Sequence, residues 1–178
     1  MSLRITDLFS VAGKTVVITG GSRGIGEMIA RAYVENGAKV ILTSRKAADV
    51  EGLARSLGDA ATPIPADLSQ MSEIGRFATA VEALTPKVDI LFNNAGASGG
   101  ARFDDFPEIG WDKIMDINVK SVFFLTQRLI KLLEAAATPE HNARVINIGS
   151  IDGQHVSPIE TYSYAASKAG VLHLTRMM

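Results

Sequence analysis

Short apolar runs alternate with segments of helical periodicity along the whole chain, and this alternation constrains the fold more than any other feature. The apolar runs predict five short strands at 14–19, 39–43, 61–65, 88–92 and 144–149. Helical periodicity predicts helices at 24–36, 47–57, 69–84 and 111–137, and a last helix that begins near Thr161. Strands that are apolar on both faces suit a parallel sheet covered on both sides. The pattern therefore predicts a doubly wound α/β sheet.

No internal repeat, low-complexity segment or linker interrupts this pattern. We therefore expect residues 1–178 to form a single domain with the doubly wound, or Rossmann, fold. A six-stranded fold of this kind needs at least one more strand after the last helix. Because the sequence stops within helical periodicity at Met177 and Met178, we favour a domain truncated at its C-terminus over a complete five-stranded one.

Composition excludes several functional classes. The net charge of −1 gives no electrostatic reason to bind nucleic acid or an anionic membrane. The chain has no cysteine, and its three histidines lack the spacing of metal ligands, so we predict no metal site. No apolar run approaches the roughly 20 residues needed to cross a bilayer. Residues 1–13 lack the pattern of a secretion signal, so we expect a cytoplasmic protein.

The long predicted helix is apolar on more than one face. Phe123, Phe124 and Ile130 fall outside its main apolar stripe, as they would if another subunit covered them. We therefore expect a homo-oligomer, a tetramer or a dimer. Asn118 lies inside the main stripe, where a side-chain amide needs hydrogen-bond partners.

A glycine-rich turn follows the first predicted strand and opens the first predicted helix. Its sequence, Thr-Gly-Gly-Ser-Arg-Gly-Ile-Gly at 19–26, differs in spacing from the common G-x-G-x-x-G. Glycines allow a tight turn and let the backbone approach a pyrophosphate, whose charge is favoured by the helix N-terminus. A glycine turn by itself could serve only tight packing. Its place between strand and helix favours phosphate binding.

The end of the second strand bears on cofactor choice. NAD-binding proteins usually place an acidic residue about 20 residues past the glycines, where it bonds the ribose 2′-hydroxyl. This chain has Arg45 near that position and no acid until Asp49. A guanidinium group binds a 2′-phosphate, which a carboxylate would repel. Arg45 and Arg23 therefore favour NADP(H) over NAD(H), the alternative being that both are solvated surface arginines.

The segments that follow the third and the fourth predicted strands each allow two interpretations. Asp67 follows the third strand and could either bind the adenine amino group or cap the next helix. Asn94, Ala95 and Gly96 follow the fourth strand, where small residues would suit close approach to a ligand or an ordinary turn.

Ser150, Tyr164 and Lys168 follow the fifth strand. Tyr164 and Lys168 are four positions apart, which on a helix brings their Cβ atoms within about 5–6 Å. A nearby ammonium favours the ionised form of a phenol and so suits it to general acid–base catalysis. Open α/β sheets bind ligands beyond the carboxyl ends of their strands, so these residues could meet at the phosphate-binding turn.

Taken together and in this order, these motifs resemble the short-chain dehydrogenase/reductase family across essentially the whole chain. The resemblance implies that Tyr164 is the general acid or base, that Lys168 assists it and holds the nicotinamide ribose, that Ser150 orients the substrate oxygen and that Asn118 sustains a water-linked proton relay. It also implies a set of cofactor contacts: Gly20, Ser22, Arg23 and Ile25 at the pyrophosphate and ribose, Arg45 at the 2′-phosphate, Asp67 and Leu68 at the adenine, and Asn94, Ala95 and Gly96 at the inner ribose. Within this family, the segments 20–27 and 144–150 are similar to NADP-dependent 3-oxoacyl-(acyl-carrier-protein) reductases of the rhamnolipid-pathway type.

The chain departs from the family pattern in two places. Tyr164 lies fourteen positions after Ser150, one more than is usual, so the loop at 151–161 must absorb an extra residue. The sequence also stops before the C-terminal region that in this family supplies further strands and the variable substrate loop, and we expect that region in the intact protein. The resemblance implies an oxidoreductase that transfers hydride between NADP(H) and a small carbonyl compound or secondary alcohol, with a 3-oxoacyl thioester as the favoured substrate. The alternatives are a sugar, polyol or steroid dehydrogenase, or a non-catalytic NADP-binding regulator. Tyr162 has alanine four positions later, so we expect it to pack or to line the substrate site.

Overall fold

The computed structural model of the protein describes residues 9–178. The predicted absence of a secretion signal concerns residues 1–13, of which residues 1–8 lie outside the described part of the chain.

The centre of the fold is a parallel sheet of five strands. These are β1 (Thr15–Thr19), β2 (Lys39–Thr43), β3 (Ala61–Pro63), β4 (Ile90–Asn93) and β5 (Arg144–Asn147). Their order is β3-β2-β1-β4-β5, and every neighbouring pair is parallel. The predicted doubly wound α/β fold is confirmed. The strand order reverses between β1 and β4, which is where such sheets open a ligand-binding crevice.

Within residues 9–178, six α-helices connect and follow the strands. They are α1 (Gly24–Glu35), α2 (Ala47–Leu57), α3 (Met71–Leu84), α4 (Glu108–Met115), α5 (Ser121–Ala136) and α6 (Tyr162–Met177). Short 3₁₀ turns lie at Gly58–Ala60, Phe103–Asp105 and Ile151–Gly153.

The core has two layers because successive residues of a strand face opposite sides of the sheet. On one side Val17, Ile41 and Leu91 pack against α3 and α5 through side chains that include Phe77 and Leu129. On the other side a second cluster packs against α1 and α2, and it includes Val16, Ile18, Val40, Leu42, Phe92, Ala30, Val50 and Leu53. The carboxyl ends of the strands are left free to carry a site.

The predicted single helix at 111–137 is wrong in detail. It begins earlier, at Glu108 after Pro107, and a π-helical turn at Asp116–Lys120 joins α4 to α5. A π-turn inserts one residue into the helical repeat, and such turns are frequent at functional sites. Asn118 lies within this turn and is buried.

The remaining predicted bounds agree with the structure or differ from it by one or two residues. Strand β1 begins one residue later than predicted, β3 and β5 each end two residues earlier, and β4 covers 90–93 instead of 88–92. Helix α3 begins at Met71 instead of 69, because Asp67 accepts hydrogen bonds from the backbone N–H and hydroxyl of Ser69 and holds that segment in a turn.

Helix α5 retains apolar side chains on its outer face. Phe123 and Ile130 are 38% and 43% exposed, and the ring of Phe123 meets that of Phe124 edge-on at 5.2 Å. Among the described residues, no helix is long and apolar enough to cross a membrane.

Candidate active site

The glycine turn between β1 and α1 is packed so closely that side chains would not fit. Gly20 and Gly24 have φ values of +62° and +57°, in the region that favours glycine. A Cβ atom on Gly20 would lie 2.8 Å from the Cα of Ala95, and one on Gly26 would overlap the carbonyl oxygen of Gly20. The turn therefore brings its backbone against the segment that follows β4.

Thr19 joins this turn to the end of β4. Its hydroxyl accepts hydrogen bonds from the backbone N–H groups of Asn94 and Ala95 at 2.9 and 2.8 Å, and donates to the carbonyl of Phe92 at 3.2 Å. The Asn94 amide donates to the carbonyls of Thr19 and Gly20 at 2.9 and 3.1 Å. Sequence reasoning missed Thr19, because a threonine before a glycine turn has no distinctive spacing.

The neighbouring Asn93 has a different environment. Its side chain is buried and donates to Asn147 Oδ1 at 2.8 Å and to the Thr126 hydroxyl at 3.1 Å. Asn93 therefore ties β4 to β5 and α5, while Asn94 faces the crevice.

A cavity of about 760 Å³ opens beyond the carboxyl ends of β1 to β4. It is lined by all ten residues predicted to contact only the cofactor: Gly20, Ser22, Arg23, Ile25, Arg45, Asp67, Leu68, Asn94, Ala95 and Gly96. Its walls also include residues that sequence reasoning missed: Thr43, Ser44, Lys46, Asp49, Ala97 and, from α4 and the π-turn, Ile109, Asp112, Lys113, Asp116 and Ile117. The α4 residues of the wall could not be predicted, because no sequence motif marks them and only folding brings them to the cavity.

The cavity is lined by four basic residues, Arg23, Arg45, Lys46 and Lys113, and by four acidic ones, Asp49, Asp67, Asp112 and Asp116. Arg23 in the glycine turn and Arg45 and Lys46 after β2 are exposed, and the part of the cavity that they line is called its cationic end. Thr43 at the end of β2 is fully buried, and its hydroxyl finds no partner among the described residues. Asp67 lines the cavity and accepts two hydrogen bonds from Ser69, so it holds its own turn and is not the N-cap of α3.

Asn118 is held from both sides in the π-turn. Its Oδ1 accepts from Ala97 N–H at 2.9 Å, and its Nδ2 donates to Ala97 O at 3.0 Å and to Ser167 Oγ at 2.9 Å. The predicted need of this buried amide for partners is met. Through these bonds Asn118 joins the segment lining the cavity to helix α6.

Tyr164 and Lys168 lie on one face of α6, as their spacing predicts. The Lys168 ammonium is 5.7 Å from the centroid of the Tyr164 ring and donates to the carbonyl of Ile148 at 2.7 Å. Lys168 is only 8% exposed, and burial lowers the pKa of its ammonium. Neither residue is among those that line the 760 Å³ cavity, although both are predicted to contact the cofactor as well as the substrate.

Ser150 begins the 3₁₀ turn after β5, and its hydroxyl accepts from Asp152 N–H at 3.2 Å. Gly153 lies against Lys168, since a Cβ atom there would be 2.7 Å from the backbone carbon of Lys168. The loop at 151–161 thus accommodates its length as a 3₁₀ turn packed on α6. Ser150 also does not line the 760 Å³ cavity.

Tyr162 belongs to an aromatic group away from this pair. Its ring meets those of Phe103 and Phe106 at 5.6 and 5.9 Å, and its hydroxyl donates to Glu160 at 3.2 Å. Partial burial and the Glu160 carboxylate raise the pKa of Tyr162. These contacts agree with the packing role expected of Tyr162.

The donor set of the cavity fits a dinucleotide phosphate. The N-terminus of α1 has no side-chain cap, and residues 22–25 at that end of the helix line the cavity, where their backbone can receive a phosphate. The exposed guanidinium groups of Arg23 and Arg45 can bind a phosphate through charge-assisted hydrogen bonds. Within residues 9–178 no cluster of His, Cys, Asp and Glu could hold a metal ion.

Comparison with known proteins shows close relatives. The family model described as short chain dehydrogenase matches residues 14–178. A rhamnolipids biosynthesis 3-oxoacyl-[acyl-carrier-protein] reductase from Pseudomonas aeruginosa is 45% identical over 173 residues, which cover 96% of this chain and 67% of that protein. Nodulation protein G from a Rhizobium species is 35% identical over 171 residues, which cover 96% of this chain and 68% of that protein.

Solved structures are similar over the same region. The Pseudomonas aeruginosa RhlG/NADP active-site complex has a TM-score of 0.91 at 45% identity, covering 95% of this chain and 67% of that one. A metagenomic short-chain oxidoreductase in complex with NADP has a TM-score of 0.85 at 33% identity, covering 94% of this chain and 76% of that one. The chain thus spans about two thirds of the length of the curated relatives it matches.

Proposed function

The chain belongs to the short chain dehydrogenase family, and on that premise we propose that it is an NADP-dependent oxidoreductase that interconverts a carbonyl compound and a secondary alcohol. The observation that carries this proposal is the Tyr164–Lys168 pair on α6, with a buried ammonium 5.7 Å from the phenol ring. A non-catalytic nucleotide-binding protein would not need a lysine in such a costly position.

The residues of α6 and of the loop after β5 perform the proton chemistry. Tyr164 donates a proton to the carbonyl oxygen during reduction and removes it from the alcohol in the reverse direction. Ser150 donates a hydrogen bond to the same oxygen and orients it. The Lys168 ammonium stabilises the negative charge that develops on the Tyr164 oxygen during proton transfer.

The crevice residues hold the cofactor. When bound, NADPH would supply the hydride to the carbonyl carbon. Gly20, Ser22, Arg23 and Ile25 offer the N-terminus of α1 to the pyrophosphate, and Asn94, Ala95 and Gly96 lie where the inner ribose would reach the β4 end. Asp67 and Leu68 face the adenine. Arg45 binds the 2′-phosphate, so that NADP(H) is preferred to NAD(H).

The substrate we propose is a 3-oxoacyl thioester. Its support is the 45% identity to a reductase whose name specifies 3-oxoacyl-[acyl-carrier-protein]. Asn118 is proposed to sustain a water-linked relay that returns protons to Lys168.

The quaternary state and location are part of the same proposal. We propose a homo-oligomer, a tetramer or a dimer, in which a second subunit covers Phe123 and Ile130 on α5. Residues 1–178 would form one dinucleotide-binding domain, and the length of the relatives supports further C-terminal strands and a substrate loop in the intact protein. A cytoplasmic location would give the enzyme access to the cellular pool of NADPH.

The decisive experiment follows NADPH oxidation by the intact protein with acetoacetyl thioesters, sugars and steroid ketones. Acetoacetyl thioesters are expected to give the highest kcat/KM. Tyr164→Phe keeps the ring and removes the hydroxyl, so turnover is expected to fall by about 10²–10⁴-fold while NADPH still binds. Wild-type turnover in Tyr164→Phe would contradict the proton-transfer assignment. If the wild-type protein binds NADPH but reduces no carbonyl compound, the non-catalytic interpretation is correct.

A further inference from the structure

Two serines lie one turn apart on helix α6 and share the same burial. Ser163 and Ser167 are both 0% exposed. Their hydroxyl groups differ, because Ser163 Oγ has no hydrogen-bond partner among the described residues whereas Ser167 Oγ has two. Burying a hydroxyl without a hydrogen-bond partner costs free energy. Because only Ser167 has partners, comparing the two serines isolates the effect of its hydrogen bonds.

The hydrogen bonds of Ser167 have a fixed direction. Its single hydroxyl proton is donated to the carbonyl oxygen of Tyr164 at 2.7 Å, so Oγ must accept from Asn118 Nδ2 at 2.9 Å. The orientation of the Asn118 amide is fixed independently, because Ala97 donates to its oxygen and accepts from its nitrogen. Rotation of the amide by 180° would set like groups against each other at both atoms of Ala97.

These bonds form one chain from Ala97 through Asn118 and Ser167 to Tyr164. Ala97 lines the cofactor cavity, and Asn118 lies in the π-turn. Within residues 9–178, the bond between Asn118 and Ser167 is the one side-chain hydrogen bond that joins α6 to this π-turn. The chain thus connects the wall of the cavity with the helical turn that carries Tyr164 and Lys168.

We propose that Ser167 is a positioning residue, whose hydroxyl sets the place of Tyr164 and Lys168 relative to the cavity wall at Gly96 and Ala97. This inference rests on the proposed reductase function. Ser167 contacts neither substrate nor cofactor and acts through the helix backbone at Tyr164. Displacement of a reacting group by about 1 Å can lower a rate by roughly 10²-fold, so a single hydrogen bond at this point has a measurable consequence.

The test compares Ser167→Ala with Ser163→Ala in the intact protein, using NADPH and an acetoacetyl thioester. Both variants remove one buried hydroxyl from the same helix. Ser167→Ala is expected to lower kcat by roughly 10- to 100-fold without changing the Kd for NADPH. Ser163→Ala is expected to leave kcat unchanged. Ser167→Cys is similar in size to serine but bonds weakly. It is expected to lower kcat as well, and it decides the question if the alanine variant does not fold.

The outcomes separate this inference from the proposed function. A wild-type protein without reductase activity would contradict the proposed function itself. An active wild type with equal kcat in Ser167→Ala and Ser163→Ala would contradict the positioning role alone. Loss of NADPH binding in the folded Ser167 variants, or unfolding of both, would make Ser167 a structural residue and would also overturn the inference.

Discussion

Two buried charges lie at opposite ends of the sheet and differ in how they are compensated. Asp89, 4% exposed, immediately precedes β4 at the amino edge and accepts from Thr15 N–H at 2.9 Å. The ammonium groups of Lys14 and Lys87 lie 3.3 and 3.5 Å from its carboxylate. Lys168, 8% exposed, lies at the carboxyl edge with the carbonyl of Ile148 as hydrogen-bond acceptor, and no carboxylate of the described chain lies within ion-pair distance.

The pKa values of the two groups shift in accordance with their partners. Burial alone would raise the pKa of Asp89, but the Thr15 hydrogen bond and the charges of Lys14 and Lys87 outweigh it and hold the pKa below its ordinary value. Burial lowers the pKa of Lys168. The compensated charge therefore stabilises the fold, whereas the buried charge of Lys168, which has no carboxylate partner in the described chain, reduces its stability.

The largest expected effect is that of Lys168→Met on turnover. Methionine is similar in length and has no charge, so kcat is expected to fall by about 10²–10⁴-fold. The folded protein disfavours the protonated lysine, so removing it at neutral pH should leave the free energy of unfolding unchanged or raise it by about 1 kcal/mol. Chemical denaturation and steady-state kinetics measure the two quantities. A large loss of stability would show that Lys168 is a structural residue.

Asp89→Asn is expected to lower stability and leave turnover unchanged, the reverse of Lys168→Met. It leaves two lysines beside a neutral side chain and should lower the free energy of unfolding by about 2 kcal/mol, less than for a fully enclosed pair because both lysines reach water. Turnover per folded molecule should not change. Glu73→Gln, in the exposed pair with Arg76, is the control and should leave the free energy of unfolding almost unchanged, because water screens an exposed pair.

The stabilisation by Asp89 also depends on pH. Because its folded pKa lies below its unfolded one, the contribution is complete above about pH 4 and is lost as the pH falls through the folded value. Denaturation of the wild type at decreasing pH should therefore show a loss of stability that is smaller in Asp89→Asn. Parallel curves for the two proteins would refute the ion-pair interpretation.

The effect expected for the cofactor is confined to one binding constant. Arg45→Ala removes one exposed guanidinium from the cationic end of the cavity and should weaken NADPH binding by roughly 10- to 100-fold, with little change for NADH. The free energy of unfolding should not change. Arg55→Ala, an exposed arginine of α2 outside the cavity, is the matched control. Equal losses for both cofactors would exclude a 2′-phosphate contact at Arg45.

The fold was predictable because its signals are local and repeated. Apolar β-rich runs identified each of the five strands of the described sheet. Helical periodicity identified the helices, except that it predicted α4 and α5 as a single helix. The exception is the π-turn at Asp116–Lys120, where a predicted single helix is two helices joined by a wider turn. A π-turn needs no special residue types, since it is stabilised by tertiary contacts such as those of Asn118 with Ala97 and Ser167.

Candidate site residues were predictable where a motif has fixed spacing, as in the glycine turn and the Tyr164–Lys168 pair. The hydrogen-bond partners of those residues could not be predicted. Thr19 and Ser167 have no distinctive position in the sequence, and their hydrogen-bond partners Asn94 and Asn118 lie far away in the chain. The α4 wall of the cavity is likewise defined by its position opposite the glycine turn.

The sequence by itself determined the parallel α/β fold, the family and the identities of the groups proposed for catalysis, because periodicity and motif spacing are properties of neighbouring residues. Only the tertiary structure decided which buried polar groups are satisfied. Asp89 accepts hydrogen bonds from Lys14 and Thr15 at the start of β1. Asn118 bonds to Ala97 and Ser167, and Lys168 donates to one carbonyl oxygen, that of Ile148. Hydrogen bonds and ion pairs act over a few ångströms, so their pattern exists only once distant segments have been brought together.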